Sequence, residues 1–188
     1  MPTHTVTSPL GESVDSGEVD FGVREYVGTV TVAGGAVVSY ALTGLSIDLD
    51  AYDIEVVAKI NKGVSGSART MELTLNGDAV TQYFSNLTIS ENTTVSTANG
   101  NLCSITKSVT TQEYYTILAK IVLDFSLRPE MYVETNWVEG NSFASGRILR
   151  TAGAVAGNII TSITIAASGE PPIENDSVMY VYKRGRLA

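Results

Sequence analysis

Few side chains in this 188-residue chain are suited to chemistry, because it holds one histidine, His4, and one cysteine, Cys103. A nucleophilic site needs its base held in packed surroundings beside the nucleophile, and His4 lies in a polar N-terminal segment. One Cys and one His are too few for a zinc site of the usual composition, and no phosphate loop or nucleophile elbow occurs. We expect no catalysis, no cofactor and no metal, with Cys103 as a small core or loop-edge residue.

Three aspartates, Asp48, Asp50 and Asp53, lie within six residues of each other. Such spacing can supply oxygen ligands to Ca²⁺, but the segment lacks the central Gly and the closing Glu of an EF-hand loop. A solvated turn between two strands accounts for it more simply. The sequence favours the turn and leaves Ca²⁺ binding as the alternative.

Two glutamates, Glu134 and Glu139, flank the only tryptophan, Trp137. Paired carboxylates beside an aromatic ring can form a glycosidase subsite, yet nothing in the sequence fixes their separation, and surface charge is the favoured interpretation. Trp137 alternates in phase with three neighbours on one strand face: Met131, Val133 and Thr135. This pattern predicts a core tryptophan and makes a sugar-stacking platform the less favoured alternative.

The composition is that of a folded β domain. Hydrophobic residues make up 44% of the chain and charged residues 17%, a composition too apolar for a disordered chain. With 188 residues the chain is long enough to bury a sizeable core. The net charge of −8 argues against binding to a phosphate backbone, so we expect no nucleic-acid partner. We also expect no membrane partner, because no signal peptide or run of about 18 apolar residues is visible.

Alternating apolar residues predict about eight to ten strands and almost no helix. The clearest runs are 26–32, 37–42, 52–60, 71–75, 115–127, 131–138, 159–165 and 178–183, with a short or edge strand at 147–151. The Gly pair after residue 33 predicts a hairpin joining the first two runs, and a Gly/Pro turn predicts a closing hairpin of the last two. Segments 61–70 and 85–104, rich in Gly, Ser, Asn and Thr, are expected to be loops or weak strands.

The longest run, 115–127, carries apolar residues on both faces. One face holds the odd positions from Tyr115 to Leu127, and the other holds Leu118 and Val122. A single sandwich interior cannot bury both faces, so the sequence predicts a leftover apolar face through which copies of the chain associate.

The fold class predicted is an all-β antiparallel sandwich, jelly-roll-like, with an extended N-terminal arm. Residues 1–25 form the arm, since they are polar, rich in Pro and Gly and contain five acids against one base; residues 26–188 form the sandwich. The basic tail 183–186 is expected either to pair with acids of the arm, from Glu12 to Asp20, or to be a frayed terminus.

The end of the chain resembles a known family type. The run Ile-Thr-Ser-Ile-Thr-Ile at 160–165, the turn after it and the strand 178–183 resemble the closing strands of β-sandwich virion proteins of tailed bacteriophages, with a looser likeness at 42–45 and 52–54. The resemblance implies a virion structural protein assembled in the host cytoplasm, most specifically a capsid decoration (cement) protein that stabilises the shell. Implied partners are copies of itself, as a homotrimer, and a major capsid or other virion protein. A tail or baseplate receptor-binding or carbohydrate-binding module is the alternative.

Overall fold

The computed structural model describes most of the chain at the level of strands and side chains. The described residues are 5–7, 13–15, 23–64, 70–79, 82–91, 94–100, 104–106, 113–123, 127–137, 142–150, 158–168 and 173–186. Within them the chain forms thirteen β-strands and no α-helix. This confirms the predicted all-β fold class.

The strands follow one another along the chain with short connections where these are described. Their bounds are β1 Thr5–Thr7, β2 Ser13–Asp15, β3 Glu25–Thr31, β4 Ser39–Asp48, β5 Tyr52–Lys62, β6 Met71–Leu75, β7 Tyr83–Glu91, β8 Thr94–Gly100, β9 Glu113–Leu123, β10 Pro129–Trp137, β11 Ser142–Arg150, β12 Ile159–Ala167 and β13 Val178–Gly185. Strands β1 and β2 pair as a small antiparallel unit. The others form an eight-stranded sheet, ordered β3-β13-β5-β9-β10-β11-β7-β8, and a three-stranded sheet, ordered β4-β12-β6.

The order of the strands is that of a jelly roll. In the large sheet the first four strands run β3-β13-β5-β9, while β4-β12-β6 form the small sheet, and Ser104 adds an isolated antiparallel bridge to Glu72 on β6. Along the chain the eight segments are numbered 1 to 8 in the order β3, β4, β5, β6, 104–106, β9, β12 and β13. The large sheet then has the order 1-8-3-6 and the small sheet the order 2-7-4-5. Successive segments therefore change sheet at every step except between the fourth and the fifth, which pair in the small sheet, as in double-sheet jelly rolls.

Two hairpins extend the large sheet beyond this arrangement. Strands β7 and β8 pair with each other, β10 and β11 pair with each other, and β11 pairs with β7. Because β10 also pairs with β9, the four strands continue the large sheet sideways as one surface, which we call the extension. The extension is contributed by segments for which the sequence predicted loops or weak strands, a short or edge strand, and one full strand.

A single hydrophobic core lies between the two sheets. Strand β5 contributes Ile54, Val56, Ala58 and Ile60, and β9 contributes the odd positions from Tyr115 to Leu123, all buried. Ile163 and Ile165 of β12 and alternate residues of β6 meet them from the small sheet in the same cluster. The period-2 alternation recognised in the sequence is thus the alternation between this core and the outer face of each sheet.

A buried polar network ties the extension to the jelly roll. Arg150, at the end of β11, pairs with the carboxylate of Asp78 in the turn after β6, with Nη2 donating to Oδ1 at 2.9 Å. The Tyr83 hydroxyl donates to Asp78 and accepts the Leu75 backbone N–H at 2.8 Å. Buried polar groups that lack partners are costly, so these contacts fix where β7 and β11 sit against β6.

Both predicted hairpins are wrong in their pairing, although the strands themselves form. Strand β3 pairs with β13 in the large sheet and β4 pairs with β12 in the small sheet, so the connection at Gly34 and Gly35 crosses between sheets. Both glycines have positive φ, 83° and 133°, values suited to glycine. The connection from β12 to β13 likewise changes sheet. A Gly-rich turn between two alternating runs is compatible with either arrangement, and local sequence does not distinguish them.

Three details of the strands also differ from what the sequence predicted. A bulge between Ile160 and Ser162 turns Ile160 into the core and leaves Ile159 exposed, whereas the sequence placed Ile159 on the same face as Ile163. The longest strand ends at Leu123, and Leu127 is exposed with a φ of 57° in the following turn. The strand predicted as short or as an edge at 147–151 is β11, which spans nine residues and lies inside the sheet.

The N-terminal segment is described in part. Within residues 1–25 the structure describes the paired β1 and β2, and the chain from Val23 onward. The expectation of an extended arm otherwise lies outside the described residues, as do the acids Glu12 and Glu18. The basic tail has two described acidic partners: Lys183 pairs at 3.2 Å with Glu25, the last acid of residues 1–25 and the first residue of β3, and Arg186 pairs at 3.5 Å with Asp53 of β5.

Candidate functional site

The outer face of the eight-stranded sheet, turned away from the core, is the candidate site. Every second side chain on β5, β9, β10 and β13 points to it. Tyr132 on β10 is 48% exposed and Leu118 on β9 is 42% exposed, with Tyr180 on β13 exposed as well. Large apolar and aromatic side chains on a rigid sheet form a surface suited to contact with another molecule.

The extension holds a depression of about 490 Å³ on this face. Strand register places its lining in two rows that cross four strands. The first row is Asn86, Arg147, Tyr132 and Lys120. The second row is Thr88, Ser145, Glu134 and Leu118. With neighbouring strands about 4.8 Å apart and the rows two residues apart, this surface measures about 14 Å by about 7 Å.

The shape of the depression follows from side-chain size. Thr88 and Ser145, which are short, lie in the second row beside the long Arg147 and Tyr132 of the first row, so the surface dips. Gly146 lets β7 approach closely: a Cβ at this position would lie 2.5 Å from the Asn86 carbonyl oxygen. The small residues of β11 therefore shape both the surface and the strand pairing beneath it.

Both cations of the depression have acidic partners. Lys120 pairs with Asp53 at 3.2 Å, and Arg147 pairs with Glu130, whose side chain is buried. Glu134, in the second row, is exposed. The depression therefore presents hydrogen-bonding groups of both kinds with little net positive charge.

The other half of the outer face, on β3, β5 and β13, is aromatic. The Arg24 guanidinium lies 3.6 Å from the centre of the Tyr182 ring and pairs with Glu55 at 2.8 Å. Tyr26 packs edge-on against Tyr182, with 5.8 Å between ring centres. Cation–π and edge-to-face contacts of this kind hold side chains in fixed positions.

An apolar row joins the two halves of the face. Tyr180 lies opposite Val57, and Val57 lies opposite Leu118, across three adjacent strands. Leu118 belongs to the outward set on β9 that the sequence identified as a leftover apolar face. The structure places that residue where the sequence predicted, on the side of β9 that faces away from the core.

The three aspartates do not converge on a metal. Asp48 ends β4 and accepts the Asp50 backbone N–H at 2.9 Å, and the Asp50 carboxylate accepts the amide of Asn158 at 3.1 Å. Asp53 is on β5 with Lys120 and Arg186 as its partners. Among the described residues no group of three or more His, Cys, Asp or Glu could hold a metal ion. The favoured interpretation, an inter-strand turn, describes this segment.

Trp137 is a core residue. It is 6% exposed and packs edge-on against Tyr115, with 6.1 Å between ring centres. Glu134, three residues earlier, points to the opposite side of β10, into the depression. Glu139, His4 and Cys103 lie outside the described residues, so the expectations about them stay predictions.

No described helix is long and apolar enough to cross a membrane.

The depression was missed by sequence reasoning. Alternation does place Tyr132 and Glu134 on the outward side of β10. Their neighbours across the sheet carry weaker signals: Asn86 comes from a segment expected to be loops or weak strands, Arg147 from a short or edge strand, and Ser145 from a stretch for which no element was predicted. Without strand register no residue-level signal joins them.

No family model, curated protein or solved structure gives a significant match to the chain.

Proposed function

We propose that this chain is a structural protein of a tailed-bacteriophage virion, most specifically a capsid decoration protein that binds the shell as an assembly of copies of itself. The observation that carries the proposal is the apolar row of Tyr180, Val57 and Leu118 on the outer face of the large sheet. Jelly-roll sandwiches are a common architecture of capsid components, and the C-terminal resemblance points the same way.

The proposed occupant of the apolar row is the same row on another copy. The row is uncharged, whereas charged side chains of both signs, such as Glu55 and Lys59, lie to either side of it on β5. A surface of this kind is self-complementary, since each copy offers an apolar centre and mixed charges at the rim. Binding of such an assembly to the completed shell would stabilise the shell by mass action, because the bound copies favour the assembled state.

Sedimentation velocity of the full chain at micromolar concentration tests the assembly. The wild-type chain is expected to sediment as an oligomer, and Leu118→Arg as a folded monomer. Contact of the row with the same row on another copy gives a dimer, whereas the C-terminal resemblance implies a trimer, and the sedimentation coefficient distinguishes the two. Ile159→Arg is the matched control, because Ile159 is 43% exposed on β12 in the small sheet. A monomeric wild-type chain, or a Leu118→Arg variant that still assembles, contradicts the proposed interface.

Co-sedimentation with stripped heads of the parent phage tests the shell. Binding is expected to saturate at a fixed number of copies per head and to raise the temperature at which the heads lose their DNA. Absence of binding by a correctly folded wild-type chain overturns the decoration role.

A further inference from the structure

We propose that the depression on the extension is a binding site for a neutral oligosaccharide. It is a different surface function from assembly through the apolar row, and it does not depend on the virion role. The proposal is based on three features of adjacent strands of one sheet: an exposed aromatic ring, hydrogen-bonding side chains around it, and charges of both signs that nearly balance.

The aromatic element is Tyr132. It lies directly opposite Lys120 on one neighbouring strand and Arg147 on the other. Both of these long side chains border the ring, and the ring remains about half exposed. An exposed ring held between two neighbours offers an apolar surface to the C–H face of a sugar ring at little conformational cost.

The polar groups around the ring match hydroxyl ligands. A sugar hydroxyl both donates and accepts a hydrogen bond. Lys120 and Arg147 can only donate, the ionised Glu134 can only accept, and Asn86, Thr88 and Ser145 can do both. All three kinds lie within two adjacent rows, and small-molecule sites use such convergent polar groups to fix orientation.

The charges favour a neutral ligand over an acidic one. Lys120 and Arg147 are paired with Asp53 and Glu130, and the exposed Glu134 adds a negative charge to the second row. The whole chain carries a net charge of −8. An anionic saccharide would meet this field without an available excess of cations, whereas a neutral one pays no such cost.

The site is built for binding without turnover. A pair of glycosidase carboxylates is separated by about 5–9.5 Å. Of the described residues that line the depression, Glu134 is the one carboxylate, and the nearby Glu130 is buried against Arg147 and does not line it. Glu134 is therefore placed to hold a hydroxyl group.

A panel of neutral and acidic oligosaccharides, titrated against the full chain by calorimetry after an array screen, tests the proposal. At least one neutral glycan is expected to bind, with no hydrolysis on prolonged incubation. Tyr132→Ala is expected to weaken that binding about tenfold or more, the loss of one stacked aromatic contact. Glu134→Gln is expected to weaken it severalfold.

Tyr114→Ala is the matched control, because Tyr114 is an exposed tyrosine of β9 on the same face that does not line the depression. It should bind like wild type. Three outcomes overturn the proposal: no neutral glycan binds the folded chain, acidic glycans bind more tightly than neutral ones, or Tyr132→Ala binds as well as Tyr114→Ala. Leu118 also lines the depression, so assembly is read here from Tyr180→Arg, since Tyr180 belongs to the apolar row but does not line the depression. Loss of assembly in Tyr180→Arg with glycan binding retained, or the reverse in Tyr132→Ala, lets the two proposals fail separately.

Discussion

Two buried tyrosine hydroxyls in this fold have opposite surroundings. The Tyr83 hydroxyl bridges Leu75 and Asp78. The Tyr40 hydroxyl, on β4, is buried without a hydrogen-bond partner among the described residues. Burial raises the pKa of both phenols above the usual value for tyrosine. The same hydroxyl group is thus expected to stabilise the fold at Tyr83 and to destabilise it at Tyr40.

Substituting each tyrosine by phenylalanine separates the two cases. Tyr83→Phe leaves the buried Leu75 N–H without its acceptor and is expected to lower the free energy of unfolding by about 1–3 kcal/mol. Tyr40→Phe removes a buried hydroxyl for which the described residues offer no hydrogen-bond partner. This variant is expected to raise the free energy of unfolding by up to about 1 kcal/mol. Urea unfolding of both variants checks this, and a destabilised Tyr40→Phe would reveal a partner for that hydroxyl.

Glu72 gives the fold a pH dependence of a defined sign. The side chain is buried on β6, and desolvation raises the pKa of its carboxyl above the usual value. The folded state then holds the proton more tightly than the unfolded state. The stability contributed by the protonated group is complete below the unfolded pKa and is lost as the pH rises through the folded pKa.

Glu72→Gln is therefore expected to be more stable than wild type at pH 7 and equal to it near about pH 3, where the glutamate is protonated in both states. Denaturant unfolding at the two pH values measures the difference. Glu134→Gln, exposed on the outer face, is the control and should change stability by less than about 0.5 kcal/mol at either pH. A Glu72→Gln variant that is less stable at pH 7 would show that the carboxylate has a cationic partner.

At the scale of elements, the extension depends on one buried ion pair. Asp78 and Arg150 are each 5% exposed and join the turn after β6 to the end of β11. Removing one member leaves the other charge buried and unpaired, which costs far more than the loss of a surface pair.

Asp78→Ala is expected to lower the free energy of unfolding by about 3–5 kcal/mol. Glu25→Ala, which removes the exposed partner of Lys183, should cost less than about 1 kcal/mol. Thermal unfolding compares the two variants. Hydrogen exchange adds the location, since protection should fall first in β7 and β11. Equal losses for the two variants would mean that the buried pair does not hold the extension.

The elements also show what sequence could and could not predict. Strands β5, β9 and β10 are recognisable because one face of each is apolar at every second residue. The pairing partners of β3, β4, β12 and β13 cannot be recognised in the same way. A turn sequence indicates that the chain changes direction, but it does not indicate which sheet the next strand joins. Strand β7 was expected to be a loop or a weak strand, since Asn86, Thr88 and Ser90 leave it with few apolar residues, yet Leu87 of the same strand is buried.

The same limit applies to the candidate site. Tyr132 was visible as an outward residue, and Trp137 as an inward one, from the alternation on β10 alone. The rows that surround Tyr132 exist only through the register of four strands, three of which, β7, β10 and β11, are inserted between jelly-roll strands. Contacts between residues some 60 positions apart leave no local pattern in a single sequence.

At the scale of the whole molecule, the jelly roll is complete from β3 to β13. Both of its terminal strands are in the large sheet and pair with each other. The polar N-terminal segment has few apolar residues to add to the core, so we expect it to serve docking and not folding.

A chain lacking residues 1–22 is expected to unfold in one cooperative transition, with a midpoint close to that of the full chain. Its assembly or shell binding should be weaker. Calorimetry and sedimentation of the truncated and full chains measure the two effects. Loss of the cooperative transition would place the segment within the fold.

The pairing of the first and last strands also determines how the domain responds to force. Glu25 lies opposite Lys183, and Val30 lies opposite Met179, in an antiparallel ladder. Tension applied at Glu25 and Lys183 therefore enters at one end of the ladder and opens it one hydrogen bond at a time, as a zipper opens. A ladder loaded from opposite ends would resist in shear, with all its hydrogen bonds bearing the load together. Pulled by its two ends, this domain should yield at low force, with β3 peeling away before the core is disturbed.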